Sequence, residues 1–280
     1  MKCTSCVTIG TRIHCEVQGD GPLPLVFLHG FAAASPTWDD LRGYFPLERY
    51  RLHLLDLKGA GRSAAPRDGA YRPEDQAALV IDLLDGLNLR NVVLVGHSLG
   101  GGIALMTLMA ARAAGKSSLI DRLVLIDAAA YPQEPPYFFR YLRRPLLGHL
   151  LLRLLPVRAT VRYNLEFIYH DPAMVTEERI KRYVGCFSGS DSIYALIATV
   201  RHLDPVKYSS RLPAYGSITL PTLIIWGRHD RVVPLELGER LHAEIPGSRM
   251  RILECGHNPH EEKAKECAVT IREFLESAND

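Results

Sequence analysis

The sequence predicts an α/β fold with a doubly wound, mainly parallel sheet. Three observations predict it. Short apolar runs rich in Val, Leu and Ile alternate with amphipathic helical patterns at both ends of the 280-residue chain, the pattern of a parallel sheet covered by helices on both faces. One of those runs, Val92-Val93-Leu94-Val95, passes straight into Gly96-His97-Ser98-Leu99-Gly100 and then into a helical pattern, so a serine sits at a strand–turn–helix apex. The alternation is interrupted between about residues 131 and 212, where no strand pattern occurs. That divides the chain into a core of residues 1–130 and 213–280 and a helical insertion of residues 131–212.

Taken in order, Val7–Ile9 and Arg12–Val17 alternate like the arms of a hairpin turned at Gly10-Thr11. Leu25–Leu28 is a short buried strand that ends in His29-Gly30-Phe31. A helical pattern carrying Trp38, Leu41 and Phe45 follows Ser35-Pro36. Arg51–Leu57 is a strand, and Pro73–Leu87 an amphipathic helix with proline at its first turn. After the Ser98 elbow and its helix, to about Ala114, Arg122–Asp127 is another strand. The insertion is a series of Leu- and Arg-rich helical segments broken by prolines. Pro221–Trp226 resumes the strands, Pro234–Ala243 is helical, Arg249–Leu253 is the last strand, and Glu261–Glu276 the last helix.

The formal net charge of +2, with both signs interspersed, gives no footprint for nucleic acid or an acidic polymer. No apolar run reaches the roughly 20 residues of a membrane span, and the first residues have no apolar core of a signal peptide. Six scattered cysteines suit a reducing compartment, and a cytoplasmic location is expected. Cys3 and Cys6 have ligand-like spacing, but no second pair accompanies them, so they read as free thiols.

In an open parallel sheet, sites form at the carboxyl ends of strands. His29-Gly30, Ser98, Asp230 and His257 all follow strand ends, which brings them to one rim. A serine hydroxyl is a weak nucleophile and needs a base to take its proton. His257 is the candidate base, since imidazoles titrate near neutrality. Asp230 is the candidate acid that would hold the ring in one tautomer. The oxyanion formed on attack needs fixed N–H donors; the backbone N–H groups of Leu99 and Phe31 are placed for this. Asp127 also ends a strand and is the rival acid; His260, three residues past His257, is the rival base.

These residues together resemble the α/β-hydrolase fold family, in its serine-nucleophile, esterase- and lipase-like branch with a helical cap. His29-Gly30-Phe31 is similar to the family's oxyanion loop, Asp56-Leu57-Lys58-Gly59-Ala60-Gly61-Arg62-Ser63 to its Asp-x-x-Gly-x-Gly-x-Ser loop, and Gly96–Gly100 to its nucleophile elbow. Gly227–Asp230 with Val233-Pro234 resembles the acid loop and Gly256-His257 the base loop, in the family's order. The resemblance implies a cap at residues 131–212, no cofactor and no metal, and a catalytic set of Ser98, Asp230 and His257 with an oxyanion hole of Phe31 and Leu99. It implies structural or pocket-lining roles for His29 and His97, and a loop-organising role for Asp56.

A serine at the elbow argues against epoxide hydrolases and haloalkane dehalogenases, which use aspartate there. Carbon–carbon bond hydrolases usually carry Gly-Pro-Gly after the His-Gly and an asparagine before the nucleophile; this chain has Phe31-Ala32-Ala33 and His97. The implied activity is therefore hydrolysis of a small apolar ester or related acyl substrate through an acyl-serine. Cofactor-free perhydrolase or C–C hydrolase activity, and a non-catalytic receptor or partner-binding module on the same fold, are the alternatives. The apolar, arginine-rich run Tyr137–Arg158 reads either as a cap helix over the pocket mouth or as a basic apolar face that meets lipid.

Overall fold

A computed structural model of the chain describes residues 2–9, 11–133, 139–142, 144, 148, 150, 152, 154–186, 190–203 and 214–277. Eight strands among them form one sheet: β1 (Lys2–Ile9), β2 (Thr11–Gln18), β3 (Leu23–Leu28), β4 (Tyr50–Asp56), β5 (Val92–His97), β6 (Ile120–Ile126), β7 (Thr222–Gly227) and β8 (Arg249–Leu253). The spatial order is β1-β2-β4-β3-β5-β6-β7-β8. β1 and β2 pair antiparallel, as do β2 and β4, and every other pairing is parallel. The doubly wound, mainly parallel sheet expected from the sequence is therefore present.

Its period of two separates two cores. Val92 and Leu94, Leu123 and Leu125, and Ile224 and Trp226 point into the cluster on one face. The residues between them, Val93 and Val95, Val124 and Ile126, and Leu223 and Ile225, point into the cluster on the other. Central strands buried on both faces have no polar side to show, which is why they read as continuous apolar runs. The edge strand β8 is less buried, and its Arg249 and Arg251 are exposed.

The connections supply the helices. Ser35–Trp38 is a 3-10 turn that runs into α1 (Asp39–Arg42). The longer helix expected through Phe45 is cut short, because Gly43 and Pro46 end it and Tyr44 and Phe45 close tight turns instead. Then come α2 (Pro73–Gly86), α3 (Leu99–Ala113) and α4 (Phe139–Leu142). Three more helices stand between β6 and β7: α5 (Val157–Ile168), α6 (Glu177–Val184) and α7 (Ser190–His202). Thr176 caps α6, accepting the Arg179 N–H at 3.2 Å, with Glu177 and Glu178 in the first turn. After α8 (Leu235–Glu244), the last helix is in two pieces, α9 (Pro259–Glu262) and α10 (Ala264–Ser277), broken at Lys263. The Glu262 carboxylate is engaged at that break, accepting the Gly256 N–H at 2.9 Å and the His170 N–H at 2.8 Å.

The amino-terminal hairpin is longer than expected, with Lys2 opposite Gln18 and Ile9 opposite Thr11. Cys3 and Cys6 therefore lie in β1, and their side chains are outside the described part, as are Gly10 and much of the run from Tyr137 to Arg153. No described helix is long and apolar enough to cross a membrane.

Candidate active site

The elbow is built by close backbone approach. A Cβ on Gly96 would stand 2.4 Å from the Gly100 carbonyl oxygen, and one on Gly100 would stand 2.2 Å from that of Leu28 in β3. Only glycine lets β5 turn into α3 so tightly against its neighbour. Ser98 itself is forced to φ 53°, ψ −119°, a conformation that costs a non-glycine residue on the order of 1–3 kcal/mol. Val92, Val93, Leu94 and Val95 just before it are fully buried, and at roughly 1.5–3 kcal/mol each their burial outweighs that strain. The Ser98 N–H donates to the Ile126 carbonyl at 2.9 Å, and its own carbonyl accepts the Gly101 and Ala129 N–H groups at 2.9 Å each. The turn is over-determined, so the strained hydroxyl is held at the sheet edge.

Ser98 Oγ lies 2.9 Å from His257 Nε2, and His257 Nδ1 lies 2.7 Å from Asp230 Oδ2. Nδ1–H donates to the carboxylate, which leaves Nε2 as acceptor for the serine proton. The other Asp230 oxygen accepts the Val232 and Val233 N–H groups at 2.7 and 2.9 Å, fixing the carboxylate. The His257 N–H donates to the Ile168 carbonyl at 2.8 Å, and its carbonyl accepts from His97 Nε2 at 2.8 Å. His257 is thereby clamped between α5 and the elbow.

Asp127 reaches the same place from β6. It is fully buried with φ 42°, and its Oδ1 accepts the Gly227 N–H at 2.8 Å. Burial first, and the nearby Asp230 charge second, hold its carboxyl well above the usual carboxylate range, so it is neutral beside the charged Asp230. His260 contacts neither Ser98 nor Asp230: its Nε2 lies 3.0 Å from Thr37 Oγ1, and its ring packs against Trp38 and His97. Burial pushes both His97 and His260 well below the usual imidazole value, so both rings are neutral. His29 accepts the Leu57 N–H at 3.0 Å and tethers the loop after β3 to the one after β4. Asp56 accepts the Ser35 N–H at 2.6 Å and the Arg62 N–H at 2.9 Å, which organises both loops. Among the described residues, His97, Asp127 and His257 alone group with atoms close enough to share a cation. Both His257 nitrogens, however, are already engaged by Asp230 and Ser98.

Ser98 and His257 open onto a cavity of about 830 Å³, whose lining includes Phe31 and Leu99. α5 roofs it through Val161, Leu165 and Ile168. No Lys, Arg, Asp or Glu is among the described lining residues.

One cluster beside the site has no counterpart in the sequence reading. Glu261 Oε2 accepts from Tyr169, from Tyr183 at 2.7 Å and from Asn258 at 2.9 Å, all buried. Burial raises the Glu261 carboxyl, and the two tyrosine hydroxyls oppose that rise. Arg179 and Arg182 of α6 add ion pairs to Asp40. A glutamate four residues past His257 carries no local signal of this, because its two tyrosine partners come from the insertion.

Residues 24–264 match the family model described as alpha/beta hydrolase fold. The chain is 31% identical to the uncharacterized hydrolase YugF of Bacillus subtilis, with 95% of each chain covered. It is 29% identical to a 2-hydroxy-6-oxononadienedioate/2-hydroxy-6-oxononatrienedioate hydrolase of Cupriavidus pinatubonensis, over 94% of this chain and 90% of the relative. The solved esterase EaEST from Exiguobacterium antarcticum matches with a TM-score of 0.78 at 25% identity, over 95% of this chain and 96% of that one. Strand order, elbow and these likenesses agree: the chain belongs to the alpha/beta hydrolase fold family and is a hydrolase.

Proposed function

We propose that the chain hydrolyses small, neutral, apolar carboxylic esters through an acyl-serine intermediate. His257 Nε2 takes the Ser98 proton as Oγ attacks the ester carbonyl. Asp230 keeps Nδ1 protonated and stabilises the imidazolium that forms. The Phe31 and Leu99 N–H groups receive the oxyanion; Leu99 opens α3, where backbone donors lack intrahelical partners. The imidazolium then protonates the departing alcohol, and water, activated by the same ring, releases the acid. No step calls on a metal or an organic cofactor. Residues 131–212 act as a cap that shapes the pocket.

The observation that carries this reading is the Ser98–His257–Asp230 hydrogen-bonded chain opening on a cavity whose described lining has no charged side chain. The same observation weighs against the dioate chemistry named for the Cupriavidus relative. A carboxylate buried there would lose its water and gain no cation from the described lining residues.

A fluorophosphonate probe tests the mechanism. Wild-type protein is expected to label, and Ser98→Ala and His257→Ala to lose labelling while staying folded. Folded wild-type protein that does not label would refute the acyl-serine and favour a binding module instead. A panel of paired esters tests the substrate class. A neutral acyl group should be preferred over its carboxylated analogue by about a hundredfold or more in kcat/KM, and the opposite preference overturns it.

A further inference from the structure

Exposed large apolar side chains are concentrated in one region of this molecule. Nine remain exposed among the described residues, and all but Tyr44 and Leu47 fall between residues 141 and 167. Leu154 is 71% exposed and Tyr163 69%. Leu155, Val157, Tyr163 and Phe167 are exposed and also line the cavity, so the patch is the rim of its mouth. Isolated exposed leucines are ordinary, but a contiguous apolar patch marks something that covers it.

Charge says what covers it. The sequence from 139 to 167 holds six arginines against one acidic residue, Glu166, in a chain whose net charge is only +2. Arg144, Arg158 and Arg162 are exposed there. Arg158 and Arg162 share the single carboxylate of Glu177, which leaves the region cationic. Apolar tips beside guanidinium groups match a surface with hydrocarbon beneath phosphate.

We propose that the rim of the cavity docks on an anionic lipid surface and takes its substrate from it. Leu150, Leu154 and Tyr163 enter the acyl boundary, and Arg144, Arg158 and Arg162 meet headgroup phosphates. An apolar ester dissolved in the bilayer then passes into the cavity without crossing water. The substrate half of this proposal rests on the acyl-serine reading; the docking half does not.

Co-sedimentation with vesicles tests it. The full chain should bind phosphatidylcholine vesicles that contain phosphatidylglycerol, bind phosphatidylcholine alone far more weakly, and release at high salt. Arg144→Glu, and Leu150→Ser with Leu154→Ser, lie outside the cavity lining. Each should weaken vesicle binding, by about fivefold or more for the arginine change, while hydrolysis of a short water-soluble ester stays at the wild-type rate and reports that the fold is intact. Wild-type binding without ester hydrolysis keeps the docking and removes the acyl-serine reading. No binding to anionic vesicles, or equal binding by the variants, overturns the proposal. So does a dimer that forms through this face and is lost in the Leu150→Ser, Leu154→Ser variant.

Discussion

At the residue scale, two carboxyls compete for one imidazole. Asp230 and Asp127 end neighbouring strands, and their chemistry is identical until packing distinguishes them. Asp230 has two backbone N–H groups on the oxygen that faces away from His257, and it meets Nδ1 at 2.7 Å. Asp127 has one N–H donor and is buried against Asp230, so it keeps its proton. A neutral carboxyl and an amide have nearly the same shape and charge. Asp127→Asn is therefore expected to retain most of the activity, whereas Asp230→Asn should lose about four orders of magnitude in kcat, as loss of a triad acid does elsewhere. Steady-state hydrolysis and fluorophosphonate labelling rates check this, and a reversed ranking would make Asp127 the acid.

At the scale of the element, strands and elbow follow from local chemistry, but some consequences of strand packing do not. His53 in β4 alternates with Leu52 and Leu54 and reads as part of an apolar run. In the sheet it faces Cys15 of β2, with Nδ1 3.9 Å from Sγ, and is almost entirely buried. Burial, aided by Arg51, pushes its pKa down to about 4. The unfolded chain would titrate this imidazole near 6.5. Between those values only the unfolded state gains the proton, so acidification from pH 7 to pH 4 destabilises the fold through His53 by about 3 kcal/mol. A His53→Gln variant lacks that contribution. Denaturant unfolding should show the stability gap between wild type and variant shrinking or reversing as pH falls over this window; a constant gap would disprove the assignment. The two helices that departed from expectation, the shortened α1 and the broken last helix, were decided by Gly43 and Pro46 and by tertiary hydrogen bonds to Glu262. Helical periodicity alone registers neither.

At the scale of the molecule, the helices between β6 and β7 are fastened to the core next to the candidate base. Tyr169 and Tyr183 reach down to Glu261, and Asn258, the residue after His257, shares the same oxygen. Tyr183→Phe removes one of three donors to a buried carboxylate. A net loss of about 1 kcal/mol or more follows, enough to make local opening about fivefold more frequent. Limited proteolysis should then cut faster between residues 157 and 202 while the sheet stays resistant; an unchanged rate would show that the fastening does not depend on this hydroxyl.

The sequence by itself determined the mainly parallel run of the central strands, the glycine elbow under Ser98, and the arrival of His29, Ser98, Asp230 and His257 at one rim. These rest on period, on strand-end placement and on backbone approaches that only glycine permits, and all of them are properties of short stretches. Tertiary structure alone decided that Asp127 was buried beside Asp230 and kept its proton, that His260 faced Thr37 instead of the serine, and that the described cavity lining held no charge. It also joined Glu261 to two tyrosines from the insertion. Each of those outcomes turns on distances of an ångström or two between residues dozens to more than two hundred positions apart, where burial chooses the protonation state and the partner. No local pattern carries that information.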